Sequence, residues 1–200
     1  MNFYKNIVLI ISLISAFSLV AQEKQAFKFI HKKVNENFYL ITSNNSAAVT
    51  HLGLVIGEDG LLLVDAYHES KVKELYQAIQ RISDKPLKYV INTHSHPDHS
   101  GGNKFFAEQG AIIISQDNAR FSDAYGQLRF KDAINIDLGN EVMQAQHVVS
   151  HTYDDAIVYL KNSNVVFMGD NLSTHTFLSI GEQGLAGHLQ AFDIAIEMSN

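Results

Sequence analysis

No cysteine occurs among the 200 residues. That absence excludes disulfides, thiolate metal ligands and a cysteine nucleophile at once. Positive charge is also in short supply: 15 Lys and Arg face 21 Asp and Glu, for a formal net charge of -6. Such a balance weighs against a nucleic-acid partner, which favours a basic face. The chain has no phosphate-binding glycine loop, no dinucleotide fingerprint and no serine nucleophile elbow. What it does have is a hydrophobic content of 46%, which suits one globular domain with a sizeable core rather than a disordered or fibrous chain. Any metal site must rely on His, Asp, Glu and water, a donor set suited to zinc, iron or manganese more than copper(I).

A long apolar run is missing too. Lys5 precedes an uncharged, mostly apolar stretch from Ile7 to Val20, and small residues Ala16, Ser18 and Ala21 stand near its end. Fourteen residues are short for a membrane span, which takes about 20. The pattern predicts a cleavable secretory signal over residues 1–21, with the bond cut somewhere between Ser18 and Gln22. The expected mature domain covers residues 22–200, exported to the periplasm or secreted and without a stable membrane span.

Beyond the leader, strands and helices alternate. Phe27 to Val34, Asn37 to Thr42 and Ala47 to Ile56 read as strands, and Glu58-Asp59-Gly60 signals a turn before a short buried strand, Leu61 to Val64, that ends at Asp65. Val72, Leu75, Ile79 and Ile82 recur at helical spacing between Glu69 and Ile82. Pro86 punctuates that helix, and Lys88 to Asn92 returns as a strand. A short helix over Gly102 to Gln109 and a strand over Ala111 to Ser115 follow. Further strands are expected at Glu141 to Val149, Ala156 to Leu160 and Val165 to Met168. A last helix is predicted from about Leu185 to Met198, with Leu185, Leu189, Phe192 and Ile196 along one face. Strands with interspersed helices predict sheets covered by helices.

The chemistry concentrates after the strand Lys88 to Asn92. Thr93-His94-Ser95-His96-Pro97-Asp98-His99-Ser100-Gly101-Gly102 packs three imidazoles and a carboxylate into residues 94–99. A strand feeding a tight, histidine-rich loop is how a rigid sheet presents metal ligands at its edge. A polar surface turn has no need of such a set.

His94-Ser95-His96-Pro97-Asp98-His99 resembles the HxHxDH signature of the metallo-β-lactamase superfamily of metallohydrolases. Three further places carry the resemblance. Asp65 ends a hydrophobic strand before a turn. Ser150-His151-Thr152 precedes the strand Ala156 to Leu160, and Gly169-Asp170 follows the strand Val165 to Met168. The resemblance spans roughly residues 27 to 198. It implies an α/β fold, an αββα sandwich of two mixed sheets flanked by helices, with the metal site at one edge of the sheets.

Carried over by position, the resemblance implies one metal held by His94, His96 and His151, and a second taking Asp98, His99 and Asp170, with Asp170 bridging. Three neutral imidazoles leave a fourth position open, as in catalytic rather than structural zinc sites. The implied activity is that of a zinc-dependent hydrolase with one or two ions, in which a metal-bound hydroxide attacks an ester, thioester or amide carbonyl, β-lactams included. Asp98 is the expected catalytic residue, orienting the hydroxide or shuttling its proton. Aspartate at 170, where cysteine would suggest one β-lactamase subgroup, points toward thioesterases and lactonases. Two alternatives share the fold: a mononuclear iron oxidoreductase of the persulfide dioxygenase type, and a non-catalytic metal-binding protein. Nuclease members are disfavoured by the acidic charge and the export signal. The expected partner is a small-molecule substrate.

Other polar residues have plainer expectations. Asp65 is read as structural, bonding backbone near the metal loop. Asp154 and Asp155 are candidates to orient His151, or else loop acceptors or helix caps. His147 is expected to pack or lie at the surface, His188 to pack or lie at a rim, and His31, His51 and His68 to be ordinary; His175 is within reach of an approach to the site, but nothing in its spacing demands one. Phe121, Tyr125 and Phe130 form a lid segment or a core patch, the patch being the plainer reading. Family members usually supply a further histidine in a Gly-His turn after the last helix. This chain stops at Asn200 before any such turn, so it is expected to be incomplete at its C-terminus, lacking a closing strand and helix.

Overall fold

The computed structural model describes residues 26–44, 50–120, 127–173 and 177–199. The leader, Phe121, Tyr125 and His175 lie outside the described residues. A first sheet holds seven strands in sequence order: β1 (Phe29–Lys33), β2 (Phe38–Ser43), β3 (Leu52–Ile56), β4 (Leu61–Val64), β5 (Leu87–Ile91), β6 (Ile112–Gln116) and β7 (Leu128–Phe130). It is mixed: β1 to β4 form an antiparallel meander, and β4 to β7 run parallel. The parallel pairs need crossovers. Helix α1 (Val72–Ile82) supplies the first, and the short helices α2 (Pro97–Ser100) and α3 (Asn103–Glu108) the second.

A second sheet runs in the order β11 (Val165–Phe167), β10 (Ala156–Leu160), β9 (Val142–His147), β8 (Ala133–Asp137). Every described pair in it is antiparallel, so only the first sheet is mixed and the expectation of two mixed sheets is corrected. The reason is length. Its strands are joined through 138–141, 148–155 and 161–164, whereas a parallel crossover takes about a dozen residues or more.

Alternation along β4 builds the layers. All four of its residues are buried, because both faces are covered. Leu62 and Val64 point between the sheets, joining Phe38, Ile91 and Ile114 to Met143, Val158 and Phe167 of the second sheet. Leu61 and Leu63 point outward to Leu75 and Ile79 of α1 and to Phe106 of α3. On the far side, Ile157 and Val148 pack against Ala191 and Ile194 of helix α4 (Gly184–Ser199). The architecture is helix, sheet, sheet, helix, as expected.

Two local expectations are revised. Strands β7 and β8 lie in a stretch with no assigned element. β8 alternates exposed with partly buried residues, so its sequence carries only a weak apolar signal. On α4, Leu185, Leu189 and Ile196 are exposed, and the buried side is Gly187, His188, Ala191 and Ile194. Two stripes on this helix fit the 3.6-residue period, and backbone proximity selects between them. A Cβ on Gly187 would sit 2.8 Å from Ser150 Cα and from the Val149 carbonyl, so the smallest residue faces the loop before β10. His188 is packed, at 1% exposure. None of the described helices is long and apolar enough to cross a membrane.

Candidate metal centre

Four strand ends deliver the site. Asp65 follows β4, Thr93 to His99 follow β5, His151 stands between β9 and β10, and Asp170 sits in a 3-10 turn (Gly169–Asn171) after β11. The two sheets are stitched at this edge, where Ala156 N donates to the Thr93 carbonyl at 2.8 Å. Side chains repeat the stitch: Ser95 Oγ donates to Asp154 Oδ1 at 3.2 Å. Gly169 takes φ +54, and a Cβ there would lie 3.0 Å from Thr93 Oγ1. Only glycine adopts that conformation so close to a neighbour without strain.

Asp65 is the keystone beneath the loop. It is 1% exposed and adopts φ +64, a left-handed conformation that Asp tolerates better than most residues. Its carboxylate accepts hydrogen bonds from Thr93 N at 2.8 Å, from Thr93 Oγ1 at 2.9 Å and from His99 Nδ1 at 2.8 Å. This is the structural role expected for it, extended to the His99 ring.

His94, His96, His151 and Asp170 bring ligand atoms within 4.8 Å of one another, and Asp98, His99 and Asp170 form a second such group. His94 Nε2 and His151 Nε2 lie 3.0 and 3.1 Å from His96 Nδ1. His151 Nδ1 donates to the Ser179 carbonyl at 3.1 Å. Thr93 Oγ1 spends its proton on Asp65 and so accepts from His94 Nδ1 at 3.2 Å. With both Nδ1 atoms protonated, the Nε2 atoms present lone pairs, and His96 Nδ1 has one proton at most to offer them. Three nitrogen acceptors facing one point suit a cation better than any set of internal hydrogen bonds. His99 Nε2 gives the same reading: Asp170 Oδ1 at 3.1 Å and Asp98 Oδ2 at 3.4 Å are near it, yet neither is aligned as a hydrogen-bond acceptor, and the buried nitrogen has no partner. Asp170 also reaches His151 Nε2 at 3.6 Å and His94 Nε2 at 3.9 Å, a position between the two groups. The residues present fit metal.

Electrostatics sort the ligands. Burial, reinforced by the charge of His99, pushes the His94 imidazole down to about 2, so it is neutral at pH 7. For His99 burial works downward, but the Asp65 charge, the hydrogen bond its ring donates to Asp65 and the nearby carboxylates of Asp170 and Asp98 outweigh it and hold the ring well above the usual histidine range. The neighbouring His99 ring holds Asp98 well below the ordinary carboxylate range, and the same neighbour lowers Asp170. To hold a metal in the second group His99 would have to give up a proton, whereas His94 already offers a lone pair.

All six residues expected as ligands are thus brought together. The orienting partner of His151 differs from expectation: it is the backbone carbonyl of Ser179. Asp154 instead binds Ser95, and Asp155 accepts from Thr152 N and Oγ1 at 2.9 and 2.8 Å. A carbonyl has no side-chain signature, so residue types alone do not reveal it. The clue was Gly181, whose Cβ would collide with the His151 carbonyl. Thr50, also unanticipated, places Oγ1 3.4 Å from Asp98 Oδ2. His147 lies outside both groups and meets the Tyr153 carbonyl at 3.0 Å. Phe130 is buried among core residues of the two sheets.

Comparison with known proteins agrees with this geometry. The family model described as the metallo-beta-lactamase superfamily matches residues 46–115. A hydroxyacylglutathione hydrolase of Pelagibacter ubique is 35% identical over 106 residues, covering 50% of this chain and 43% of that protein. A metallo-beta-lactamase type 2 of Bacillus cereus is 27% identical over 150 residues, covering 68% of this chain and 58% of that protein. The chain spans about half the length of these curated relatives. Among solved structures, a metallo-beta-lactamase from Pontibacter korlensis superposes with a TM-score of 0.69 at 20% identity, over 85% of this chain and 84% of that one. The metallo-beta-lactamase IND-7 gives 0.71 at 14% identity, over 86% and 87%. At such identities the structural likeness speaks for the fold.

Proposed function

Because the chain carries a domain of the metallo-beta-lactamase superfamily of metallohydrolases, we propose that it is an exported zinc-dependent hydrolase of an acyl bond: ester, thioester or amide. The observation that carries the reading is the convergence of His94 Nε2, His151 Nε2 and His96 Nδ1, with Asp170 beside them. His94, His96 and His151 would hold one zinc, and Asp98, His99 and Asp170 a second, a reading supported by the membership of Asp170 in both groups. Zinc bound there would supply water with a pKa of about 7 and an electrophile for a carbonyl oxygen.

The protein's own residues do the rest. Asp65 and Ser179 fix the rings of His99 and His151. Asp98, ionised and contacted by Thr50, orients a water and takes its proton at Oδ2. Export is supported by the leader-like pattern of residues 1–21.

Charge narrows the substrate. The stretches 89–103, 132–160 and 162–200, which contribute every ligand, contain no Lys or Arg. Beyond the metal and its ligands, a substrate carboxylate finds no Lys or Arg partner in those stretches, which favours an uncharged acyl compound over a β-lactam or another anionic substrate.

The test is hydrolysis by the full chain of a neutral ester, a neutral thioester, a lactone and a carboxylate-bearing β-lactam, with and without a chelator. Chelator-sensitive turnover is expected, with kcat/KM for the best neutral compound at least about tenfold above the β-lactam, the effect of one unpaired charge in a site of intermediate dielectric. Turnover that survives removal of metal contradicts the reading.

A further inference from the structure

Two buried amides stand on either side of the ligand loop and bond to each other. Asn92, at the end of β5, is 2% exposed, and Asn103, the first residue of α3, is 1% exposed. Asn103 Nδ2 donates to Asn92 Oδ1 at 2.7 Å, and Asn92 Nδ2 donates back to Asn103 Oδ1 at 3.1 Å. The pair closes residues 93–102 into a loop with a fixed neck. A stability role alone would be met by two apolar side chains, which avoid the desolvation cost of buried amides. Asn92 makes a further bond that apolar residues cannot: its Nδ2 also donates to the His99 carbonyl at 3.1 Å.

The His99 backbone is therefore held at one oxygen by Asn92 and by the Ala66 amide, while its ring is held by Asp65. His94 and His96 are fixed by other means. Thr93 N is anchored on Asp65, Ser95 Oγ on Asp154, and the carbonyls of Ser95 and His96 accept from Ser100 Oγ at 2.9 and 3.1 Å. The two halves share Asp65 and the bonds from His99 N and Ser100 N to the His96 carbonyl, but the amide pair bonds within the loop only to the half bearing Asp98 and His99.

We propose that Asn92 and Asn103 are positioning residues for the second metal group, Asp98, His99 and Asp170, acting through the His99 carbonyl. The proposal rests on the two-metal reading above. It also carries an asymmetry. Asn92 touches both Asn103 and His99, whereas Asn103 acts only by orienting Asn92.

The isosteric variants Asn92→Asp and Asn103→Asp are titrated as metal-free full chains with cobalt(II), the two binding steps being followed by visible absorbance and by mass spectrometry. In Asn92→Asp the dissociation constant of one ion is expected to rise about 10- to 100-fold, the usual penalty for disturbing a group behind a ligand, with the other ion changed less than about threefold on the same scale. Asn103→Asp shifts the same ion by a smaller factor. Equal weakening of both ions, or lowered thermal stability with both affinities unchanged, identifies a merely structural pair and overturns the proposal. If Asn92→Asp does not fold, Asn103→Asp alone decides it: a selective shift supports the proposal and an unselective or absent one overturns it. A wild-type chain that takes up a single cobalt contradicts the two-metal reading and the proposal together, whereas two ions in wild type with unselective variants contradict the proposal alone.

Discussion

Replacing His96 by alanine removes the nitrogen on which the other two imidazoles converge. Its Nδ1 is 3.0 Å from His94 Nε2 and 3.1 Å from His151 Nε2, and no other side chain occupies that position in either ligand group. The His96→Ala chain is expected to lose one metal ion and to lose activity by on the order of 10^3-fold or more, as expected when one member of a group acting as a unit is deleted. The fold should survive. His96 is exposed, and its backbone, capping the start of α2, is held by Ser100. Metal content and circular dichroism of the same preparation check both halves. Full metal occupancy in the variant would remove His96 from the ligand set.

Asp65→Ala should do the reverse, striking stability through a residue outside both ligand groups. Truncation strands the Thr93 N–H, the Thr93 hydroxyl and the His99 Nδ1–H in a buried place, where an acceptor lost from a buried charged network costs about 3–5 kcal/mol. The left-handed backbone at φ +64 is tolerated less well by alanine than by aspartate and adds up to about 1 kcal/mol. A fall in Tm of about 10 °C or more is expected for a chain of this size, read by scanning calorimetry of the metal-free protein. Metal affinity at Asp98 and His99 should fall with it, because the His99 ring loses its only carboxylate partner at Nδ1. A variant with unchanged Tm would mean that Asp65 is dispensable to the loop.

Much of this centre is legible in the sequence, for physical reasons that differ from residue to residue. His94, His96, Asp98 and His99 are legible because ligation demands particular side chains at fixed spacing after a strand. His151 and Asp170 follow from the family resemblance, each standing beside a strand whose β-rich apolar run is itself readable. Strands such as β4 and helix α1 are found because burial imposes a period on their residues. The α4 helix shows where that signal ends: apolar residues lie on two of its sides, and the choice between them is made by the approach of Gly187 to the Ser150 backbone. Asp154 and Asp155 accept from Ser95 and Thr152 rather than orienting His151, and which group each meets depends on loop geometry. Ser179 acts through its carbonyl, and Asn92 and Asn103 act through reciprocal bonds across the neck of the loop. Nothing in a residue's identity announces either.

Hydrolysis by this centre requires that the two groups sharing Asp170 hold metal. The deciding measurement is metal content by mass spectrometry on full-length protein purified without added metal, alongside His96→Ala. The account predicts two zinc ions per wild-type chain and a loss of zinc in the variant. A wild-type chain that retains no metal, or one that holds a single iron indifferent to His96, would contradict it.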